Sequence, residues 1–499
     1  MTKNLKTFIF LACVFFCFNA CKETSQLSTK LNKSPNILFI AIDDLRPDLG
    51  VYGNKIVKSP NLDKLAKESV LFTNHYAQVP SCGPSRFCLL TGNRPVSVNQ
   101  LNNNIAEKEI SDQPEKTIPE TFIHHLRRNG YYTVGIGKIS HSADGLVYGY
   151  EEEPSNKREL PYSWDEMIFN SGKWGTGWNA FFGYANGENR QSLNKKVEHY
   201  EKAAVDDNGY PDGLTAELAI KKLSELKNKA KPFFLGVGFF KPHLPFNSPE
   251  KYWSLYNRDS IEIAANPDIP KNINKASLST NGEINQYQLG VELPTLDQPV
   301  SDAYAKKLRH AYYAAVSYTD RQVGKVLDEL KKLGLDKNTI VVVWSDHGWH
   351  LGEQRRWGKH TLFENALKSP LIIKIPQLST TPKKVNTIVE TIDIYPSLME
   401  LCNVKIAHQI DGESFVKYIK QNMDKNDEVA YSYFNNGITV RTNKYRLTKY
   451  FRSQKPNIEL YNHDNDPLET VNIARENMDL VNSLMPILEK GNTGLYEKK

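Results

Sequence analysis

The stretch NILFIAIDD, residues 36–44, joins a continuous apolar run to two consecutive aspartates. A run of this length and composition is typical of a strand that is buried on both faces within a parallel sheet. Four more such runs follow along the chain, at Tyr132–Ile136, Phe233–Phe240, Thr339–Trp344 and Leu371–Ile375. Helical patterns separate them, so the sequence predicts an α/β fold with a central, mostly parallel sheet covered by helices on both faces.

The helical patterns lie at Asn61–Val70, Pro119–Asn129, Leu214–Lys227 and Asp302–Leu333. Before the last of them, Ser260–Pro299 has no clear period and contains many Asn, Pro and Ser residues. A loop of this length inside a compact domain is usually functional or mobile.

After about residue 412 the pattern changes to short strands with turn signals between them. These strands are predicted at Val429–Tyr433, Ile438–Arg441 and Tyr445–Tyr450, and a final helix is predicted at Met478–Glu489. We therefore expect a large α/β domain over residues 35–411. A smaller C-terminal α+β domain with an antiparallel sheet should follow over residues 412–499.

The N-terminus predicts export. Lys3 and Lys6 precede an apolar run over residues 7–20, which is too short to span a bilayer and has the length of a signal-peptide core. The run ends at Ala20 before Cys21, the arrangement that lipoprotein signal peptidase cleaves. We expect a lipoprotein signal peptide at residues 1–20, lipidation of Cys21 and a flexible tether at residues 21–34. Ordinary signal cleavage near Ala20 is the alternative.

The expected location is therefore the periplasm or the outer-membrane surface of a bacterium, with the chain anchored to the membrane through its N-terminal lipid. The net charge of the 499 residues is +6, and removal of Lys3 and Lys6 with the signal peptide leaves +4. This charge is too weak for a nucleic-acid binder, so no nucleic-acid partner is expected, but it suits a protein that meets anionic substrates. Of the six cysteines, only Cys82, Cys88 and Cys402 remain after processing, too few for a disulfide framework.

Clustered polar residues directly follow four of the predicted strands. They are Asp43-Asp44, Lys138 with His141, Lys241 with His243, and Asp346-His347. The carboxyl ends of strands in an open α/β sheet meet at one edge, where ligands bind. We expect Asp43, Asp44 and Asp346 to offer the oxygen ligands that Ca²⁺ or Mg²⁺ prefers. His347 would be an unusual nitrogen ligand for calcium.

The stretch SCGPSRFCLLTG, residues 81–92, holds a candidate nucleophile. Pro84 suits a first helical turn, so Cys82 is expected at or just before a helix N-terminus. Free amides and the helix dipole favour negative charge there, and Arg86 follows one turn later. On its own, this position fits either a thiolate nucleophile or a small buried residue at a helix start.

The same stretch resembles the maturation signature of the type I sulfatase family, Cys-x-Pro-Ser-Arg followed by Leu-Thr-Gly. The matching residues are Cys82, Pro84, Ser85, Arg86, Leu90, Thr91 and Gly92. KPHLPF (residues 241–246) and DHGWHLGE (residues 346–353) are similar to the iduronate-2-sulfatase-like branch. ELYNHDNDPLETVNIA (residues 459–474) is similar to the family's C-terminal signature. The resemblance implies an alkaline phosphatase-like fold for the large domain.

The family resemblance also implies cofactors and roles for the site residues. Cys82 is expected to become formylglycine through a formylglycine-generating or sulfatase-maturing enzyme. One Ca²⁺ per chain is expected, with the ligands Asp43, Asp44, residue 82, Asp346 and His347. Catalytic roles are implied for Cys82, Arg86, Lys138, His141 and His243, and substrate binding for Lys241 and Lys359. Among these, His243 with Lys241 is the expected proton donor to the leaving sugar alkoxide, and His141 is expected to assist sulfate release.

The predicted function is hydrolysis of sulfate esters of carbohydrates, in a sulfated polysaccharide of glycosaminoglycan or algal type or in its oligosaccharides. One alternative is a phosphoesterase or phosphonate hydrolase of the same superfamily, whose more highly charged substrate would favour more metal ligands. Another is an inactive, lipidated glycan-binding protein, against which the intact set of site residues argues. Trp174 and Trp178 fit either a sugar-stacking surface or structural packing.

Overall fold

The computed structural model describes residues 34–111, 119–290, 292–376, 383–421, 424–425 and 427–497. The predicted signal peptide, Cys21 and the predicted tether up to residue 33 lie outside the described residues. Within the described ranges, no helix combines the length and the apolar character needed to cross a membrane.

The strands in chain order are β1 (Asn36–Ile42), β2 (Val70–Phe72), β3 (His75–Tyr76), β4 (Tyr132–Gly137), β5 (Glu166–Ile168), β6 (Tyr200–Ala203), β7 (Phe233–Phe239), β8 (Phe246–Pro249), β9 (Thr339–Ser345), β10 (His350–Leu351), β11 (Trp357–Gly358), β12 (Leu371–Lys374), β13 (Lys383–Val385), β14 (Val389–Glu390), β15 (Ala430–Phe434), β16 (Gly437–Arg441), β17 (Tyr445–Tyr450) and β18 (Ile458–Asn462). The α-helices are α1 (Pro60–Ala66), α2 (Cys82–Thr91), α3 (Phe122–Arg128), α4 (Gly177–Phe181), α5 (Pro211–Leu226), α6 (Glu250–Trp253), α7 (Asp302–Lys332), α8 (Glu364–Leu367), α9 (Ile394–Leu401), α10 (Val416–Gln421) and α11 (Met478–Lys490).

The large domain is built on an eight-stranded sheet with the order β13-β2-β12-β9-β1-β7-β4-β5. The strands from β9 to β5 in this order are all parallel, and β1 lies between β7 and β9. Strand β12 runs antiparallel to both of its neighbours, so this side of the sheet is mixed. The predicted α/β class with a mostly parallel central sheet is confirmed.

Strand β1 shows why its run is continuously apolar. Leu38, Ile40 and Ile42 enter the apolar cluster on one face of the sheet, together with side chains of α5 and α7. The intervening residues Ile37 and Phe39 enter the cluster on the other face, with side chains of α2, α3 and α9. Each such side chain contributes roughly 1.5–3 kcal/mol when fully buried. Both faces of the strand therefore need apolar residues.

The predicted helix Asn61–Val70 is wrong in its last turn. Helix α1 ends at Ala66, and Val70 begins strand β2, in which it pairs with Ile373 of β12. The short, β-branched and aromatic sequence of β2 gains more by pairing in the sheet than by extending an amphipathic helix. The other predicted helices match the observed ones to within about four residues at each end.

The C-terminal sheet has the order β15-β16-β17-β18, and every neighbouring pair is antiparallel. Helix α11 packs on this sheet, where Leu484 and Leu488 join the buried residues Tyr433 and Val440. The sequence did not predict β18. Phe415 joins the apolar cluster of the large sheet, and the domain boundary near residue 412 stays a prediction.

Candidate active site

The parallel strands deliver the predicted polar clusters to one edge of the sheet. Asp43 and Asp44 follow β1, and Asp346 follows its neighbour β9. The backbone of Asp44 is left-handed, with φ +58°, and its N–H donates to Asp346 Oδ1 at 3.1 Å. Lys138 leaves β4 immediately after Gly137, whose φ is +70°. A Cβ at residue 137 would lie 2.4 Å from the carbonyl oxygen of Gly238, so only glycine fits this turn.

Cys82 is the first residue of α2, as its sequence position predicts. Its Sγ lies 3.3 Å from Lys359 Nζ and 3.9 Å from Asp44 Oδ1. Burial and then the charge of Asp43 raise the pKa of the Cys82 thiol well above its usual range, although Lys138 and Lys359 oppose them. This environment disfavours an unmodified thiolate nucleophile.

Arg86 lies one turn after Cys82 and is fully buried. Its Nη2 donates to Asp43 Oδ1 at 2.9 Å, and its Nε donates to Asp346 Oδ2 at 3.0 Å. Its Nη1 donates to the carbonyl oxygen of Lys138 at 2.6 Å. Because all three guanidinium nitrogens already bind protein oxygens, Arg86 positions the carboxylates. The catalytic role implied for Arg86 stays a prediction.

Two lysines also form ion pairs with the aspartates of the site. Lys138 Nζ lies 2.6 Å from Asp43 Oδ2. Burial raises the pKa of Asp43, but Lys138 and Arg86 outweigh burial and hold this pKa well below its usual range. Lys359 Nζ lies 3.0 Å from Asp44 Oδ1, yet burial raises the pKa of Asp44 to about 7. The protein alone thus compensates the burial of the Asp44 carboxylate less well than that of the Asp43 carboxylate.

His347 gives the strongest sign of a bound cation. Its Nδ1 lies 2.9 Å from the carbonyl oxygen of Gly348 and therefore donates to it. Its Nε2 is buried without a hydrogen-bond partner, 3.5 Å from Asp44 Oδ1 and 3.8 Å from Asp346 Oδ2. A nitrogen lone pair that faces two carboxylates is stabilised by a positive ion between them.

The donor set fits a divalent cation. Asp44, Cys82, Asp346 and His347 offer ligand atoms that all lie within 4.8 Å of one another, and Asp43 shares a second such group with Cys82 and His243. The predicted metal ligands are thus brought together by the fold. Several carboxylate oxygens with a single imidazole favour a hard cation such as Ca²⁺.

Glu283 is a site residue that sequence reasoning missed. Its Oε1 lies 3.0 Å from His243 Nε2 and 3.1 Å from Lys359 Nζ. It comes from the long loop Ser260–Pro299, whose length was the only sequence signal of a functional role. The Glu283 carboxylate is therefore paired with His243 and Lys359, two residues that were predicted to act on the substrate.

Lys241 does not face Cys82. Its Nζ donates to the carbonyl oxygens of His243, at 2.9 Å, and Pro245, at 2.6 Å. Burial lowers the pKa of Lys241 to about 8. In this geometry the ammonium group supports the turn that carries His243, and the substrate-binding role implied for Lys241 stays a prediction.

His141 lies beside aromatic side chains. Its Nε2 is 3.2 Å from the hydroxyl of Tyr150, and its ring centroid is 5.4 Å from that of Trp178. Trp174 and Trp178 are both buried and donate their indole N–H groups to backbone carbonyls. They belong to the structural packing, which removes the sugar-stacking alternative.

Comparisons with known proteins match this chain to sulfatases. A family model described as Sulfatase matches residues 35–404, and one described as N-sulphoglucosamine sulphohydrolase, C-terminal, matches residues 352–491. Iduronate 2-sulfatase of Mus musculus is 34% identical over 363 residues, which cover 71% of this chain and 62% of the mouse protein. A sulfatase of Formosa agariphila is 30% identical over 508 residues, which cover 97% of this chain and 92% of that protein.

Solved structures share the fold. A protein in complex with its substrate D-glucosamine-2-N,6-O-disulfate superposes with a TM-score of 0.70 at 21% identity, over 94% of this chain and 99% of that one. The phosphonate monoester hydrolase of Agrobacterium radiobacter gives a TM-score of 0.69 at 21% identity, over 91% and 94% of the two chains. At these identities the likeness bears on the fold alone, and it does not separate sulfatases from phosphonate hydrolases.

The large sheet and the C-terminal antiparallel sheet thus have the fold of these solved structures. The family matches are more specific. The chain belongs to the sulfatase family, in its iduronate-2-sulfatase-like branch, and is a sulfuric ester hydrolase.

Adding Ca²⁺ to metal-free protein should raise its melting temperature by roughly 5 °C at a hundredfold excess over Kd, because an ion held by these ligands would bind the folded chain and not the unfolded one. His347→Gln should reduce this rise, since it removes the unpartnered imidazole. The control His350→Gln alters a buried histidine that bonds to Thr361, and it should keep the full response. Differential scanning fluorimetry measures all three. An unchanged response in His347→Gln would remove His347 from the ligand set.

Replacing Glu283 by Gln should strengthen inhibition by inorganic sulfate about fivefold, because roughly 1 kcal/mol of charge repulsion is lost beside Lys359 and His243. Asp297→Asn removes the same charge from an exposed position of the same loop and should have no effect. Steady-state inhibition constants test both variants. Weaker inhibition in Glu283→Gln would mean that the carboxylate orients the anion-binding groups instead of competing with the anion.

Proposed function

We propose that this chain hydrolyses sulfate esters of carbohydrates, with residue 82 converted to formylglycine and with one bound Ca²⁺. The observation that carries the proposal is the position of Cys82. The cysteine of a complete maturation signature lies in a buried group with Asp44, Asp346 and His347, and within 3.3 Å of Lys359. A signature residue with only a structural role would not need this concentration of charge.

The residues that would hold Ca²⁺ are Asp43, Asp44, Asp346, His347 and residue 82. When present, hydrated formylglycine supplies the attacking hydroxyl group, and Ca²⁺ polarises the sulfate ester. The protein contributes electrostatics of its own. Arg86, Lys138 and Lys359 carry three positive charges against the four carboxylates of Asp43, Asp44, Asp346 and Glu283, so a divalent cation turns a net charge of −1 into +1. A positive, water-poor site favours a sulfate ester and stabilises charge that develops during transfer.

His243 is the proposed acid for the leaving oxygen. Its Nδ1 lies 2.6 Å from the carbonyl oxygen of Leu244, so the ring must also carry a proton on Nε2 to act as an acid. Burial and the charge of Lys359 lower the pKa of His243 to about 4, whereas Glu283 opposes this effect. A negatively charged sulfate oxygen in the place of the Glu283 carboxylate would likewise raise the pKa of His243. His141 stays the proposed assistant for sulfate release.

A sulfated polysaccharide or its oligosaccharides are the proposed substrates. Relatives support this class: two are named iduronate 2-sulfatase, one from Formosa agariphila is named ulvan-active sulfatase, and one structural neighbour is described as a 2-O GAG sulfatase.

We also propose export to the periplasm or the outer-membrane surface, with a lipid on Cys21, because a small residue and Cys end the N-terminal apolar run. A formylglycine-generating or sulfatase-maturing enzyme is the proposed maturation partner.

Active protein, produced with a formylglycine-generating system, should carry formylglycine at residue 82. Mass spectrometry of the peptide that contains residue 82 measures the conversion directly. Cys82→Ala should abolish turnover and leave the fold intact, because it removes the nucleophile and little core volume. Cys402→Ala changes a buried cysteine outside the signature, and this variant should retain formylglycine at residue 82 and full activity. Full activity with only an unmodified thiol at residue 82 would refute the proposed mechanism.

His243→Ala should reduce hydrolysis of a sulfated sugar far more than hydrolysis of nitrophenyl sulfate. General acid catalysis is worth about 10²–10⁴-fold, and a nitrophenolate can leave without a proton. Lys359→Ala should affect both substrates to a similar degree, since its charge acts on the sulfate group. The values of kcat/KM for both variants on both substrates test the assignment. Equal losses for His243→Ala would limit His243 to sulfate binding and make His141 the next candidate acid.

A further inference from the structure

Glu120, His125 and His408 form a second cluster of metal-ligating side chains, outside the site described above. Their ligand atoms all lie within 4.8 Å of one another. Glu120 Oε2 is 3.1 Å from His125 Nδ1 and 3.7 Å from His408 Nδ1. Glu120 and His125 are buried, and His408 is half-buried and gives the cluster an opening to solvent. The cluster joins the start of α3 to the loop that follows α9.

Each of the three side chains is held from behind by a further group. His125 Nε2 lies 3.0 Å from the carbonyl oxygen of Lys405. His408 Nε2 lies 3.2 Å from the hydroxyl of Tyr395. Glu120 Oε1 accepts a hydrogen bond from Arg128 Nη1 at 2.5 Å. Metal-binding histidines and carboxylates in proteins are oriented by outer contacts of this kind.

These outer contacts determine which atoms face inward. A carbonyl oxygen only accepts, so His125 Nε2 must carry the hydrogen that Lys405 binds. The neutral ring then directs the lone pair of Nδ1 at Glu120 Oε2, and two acceptors face each other at 3.1 Å. The contact needs either a proton between the two atoms, carried by the ring or by the carboxyl group, or a metal ion.

The geometry suits a metal ion of the zinc class. Zn–N and Zn–O bonds of about 2.0–2.2 Å place tetrahedral ligands roughly 3.3 Å apart. The two measured separations from Glu120 Oε2, 3.1 and 3.7 Å, lie on either side of this value. Two imidazoles with one carboxylate favour Zn²⁺ over the harder Ca²⁺. His124 Nδ1 lies nearer to Glu120 Oε1, which Arg128 already holds, so His124 is left out of the ligand set.

We propose that Glu120, His125 and His408 bind one Zn²⁺, with water in the fourth position. The ion ties α3 to the loop after α9 and stabilises the large domain without taking part in sulfate hydrolysis. The ion pair with Arg128 partly neutralises the Glu120 carboxylate and so weakens its bond to a metal ion. We therefore expect a Kd for Zn²⁺ in the micromolar range.

The test uses Cys82→Ser protein saturated with Ca²⁺, because the catalytic cluster with its thiol would otherwise compete for zinc. Isothermal titration with ZnCl₂ should show one bound Zn²⁺, and scanning fluorimetry should show a rise in melting temperature. His408→Gln and, separately, His125→Gln should each weaken binding by at least about a hundredfold and abolish the rise. His310→Gln, a buried histidine of α7 that bonds to the Trp253 carbonyl, is the matched control and should bind normally.

A fourth variant separates metal binding from a purely structural effect. Tyr395→Phe keeps all three ligands and removes only the hydroxyl beside His408, so zinc affinity should fall about tenfold. If His125→Gln fails to fold, His408→Gln decides alone, because residue 408 lies in a partly exposed loop. The proposal is wrong if the Cys82→Ser protein binds no zinc. It is also wrong if adding His408→Gln to that protein leaves its zinc affinity unchanged. The first outcome would show that a proton fills the role of the cation.

Discussion

The buried guanidinium of Arg86 holds together the parts of this molecule that perform its chemistry. The pairing of Ile42 with Ser345 places Asp43 and Asp346 side by side at the ends of β1 and β9. Two buried carboxylates at such a position repel each other, and Arg86 donates to both. Loss of one partner from a buried ion pair costs about 3–5 kcal/mol, so this contact fixes α2 against the sheet. Residues four apart lie on one face of a helix, and docking of Arg86 therefore presents Cys82 to the same edge.

Much of this arrangement was readable from the sequence, for a physical reason. A strand buried on both faces must be apolar throughout, so β1, β4, β7 and β9 were predicted to within about one residue. In a parallel sheet their ends meet at one edge, which brought Asp43, Asp346 and Lys138 into one predicted site. The direction of β12 was not readable, because an apolar run has the same pattern in either direction. Strand β2 was missed because three residues show no period.

The roles of individual side chains depended on contacts that no local pattern encodes. The sequence places Lys241 and Arg86 at the predicted site, but it does not show that their charged groups bind backbone and carboxylate oxygens. Glu283 was missed because its loop shows no clear sequence period, forms only short 3-10 helices in its described residues, and meets Lys359 only in the folded chain. The Glu283 carboxylate can leave Lys359 and His243 without breaking a sheet, and such a displacement is needed when another anion enters.

His347 and His125 follow the same electrostatic rule in two places. In each, one ring nitrogen lies against a backbone carbonyl, so the other directs its lone pair at carboxylate oxygen. The surroundings then decide the kind of cation. His347 is the only imidazole in a group with Asp44 and Asp346, where oxygen ligands favour a hard ion. His125 shares a single carboxylate with a second imidazole, and nitrogen ligands favour a softer one. The same arrangement, an imidazole lone pair facing a carboxylate, favours a positive charge in both places. The other ligand atoms then determine whether a hard or a softer cation suits each of them.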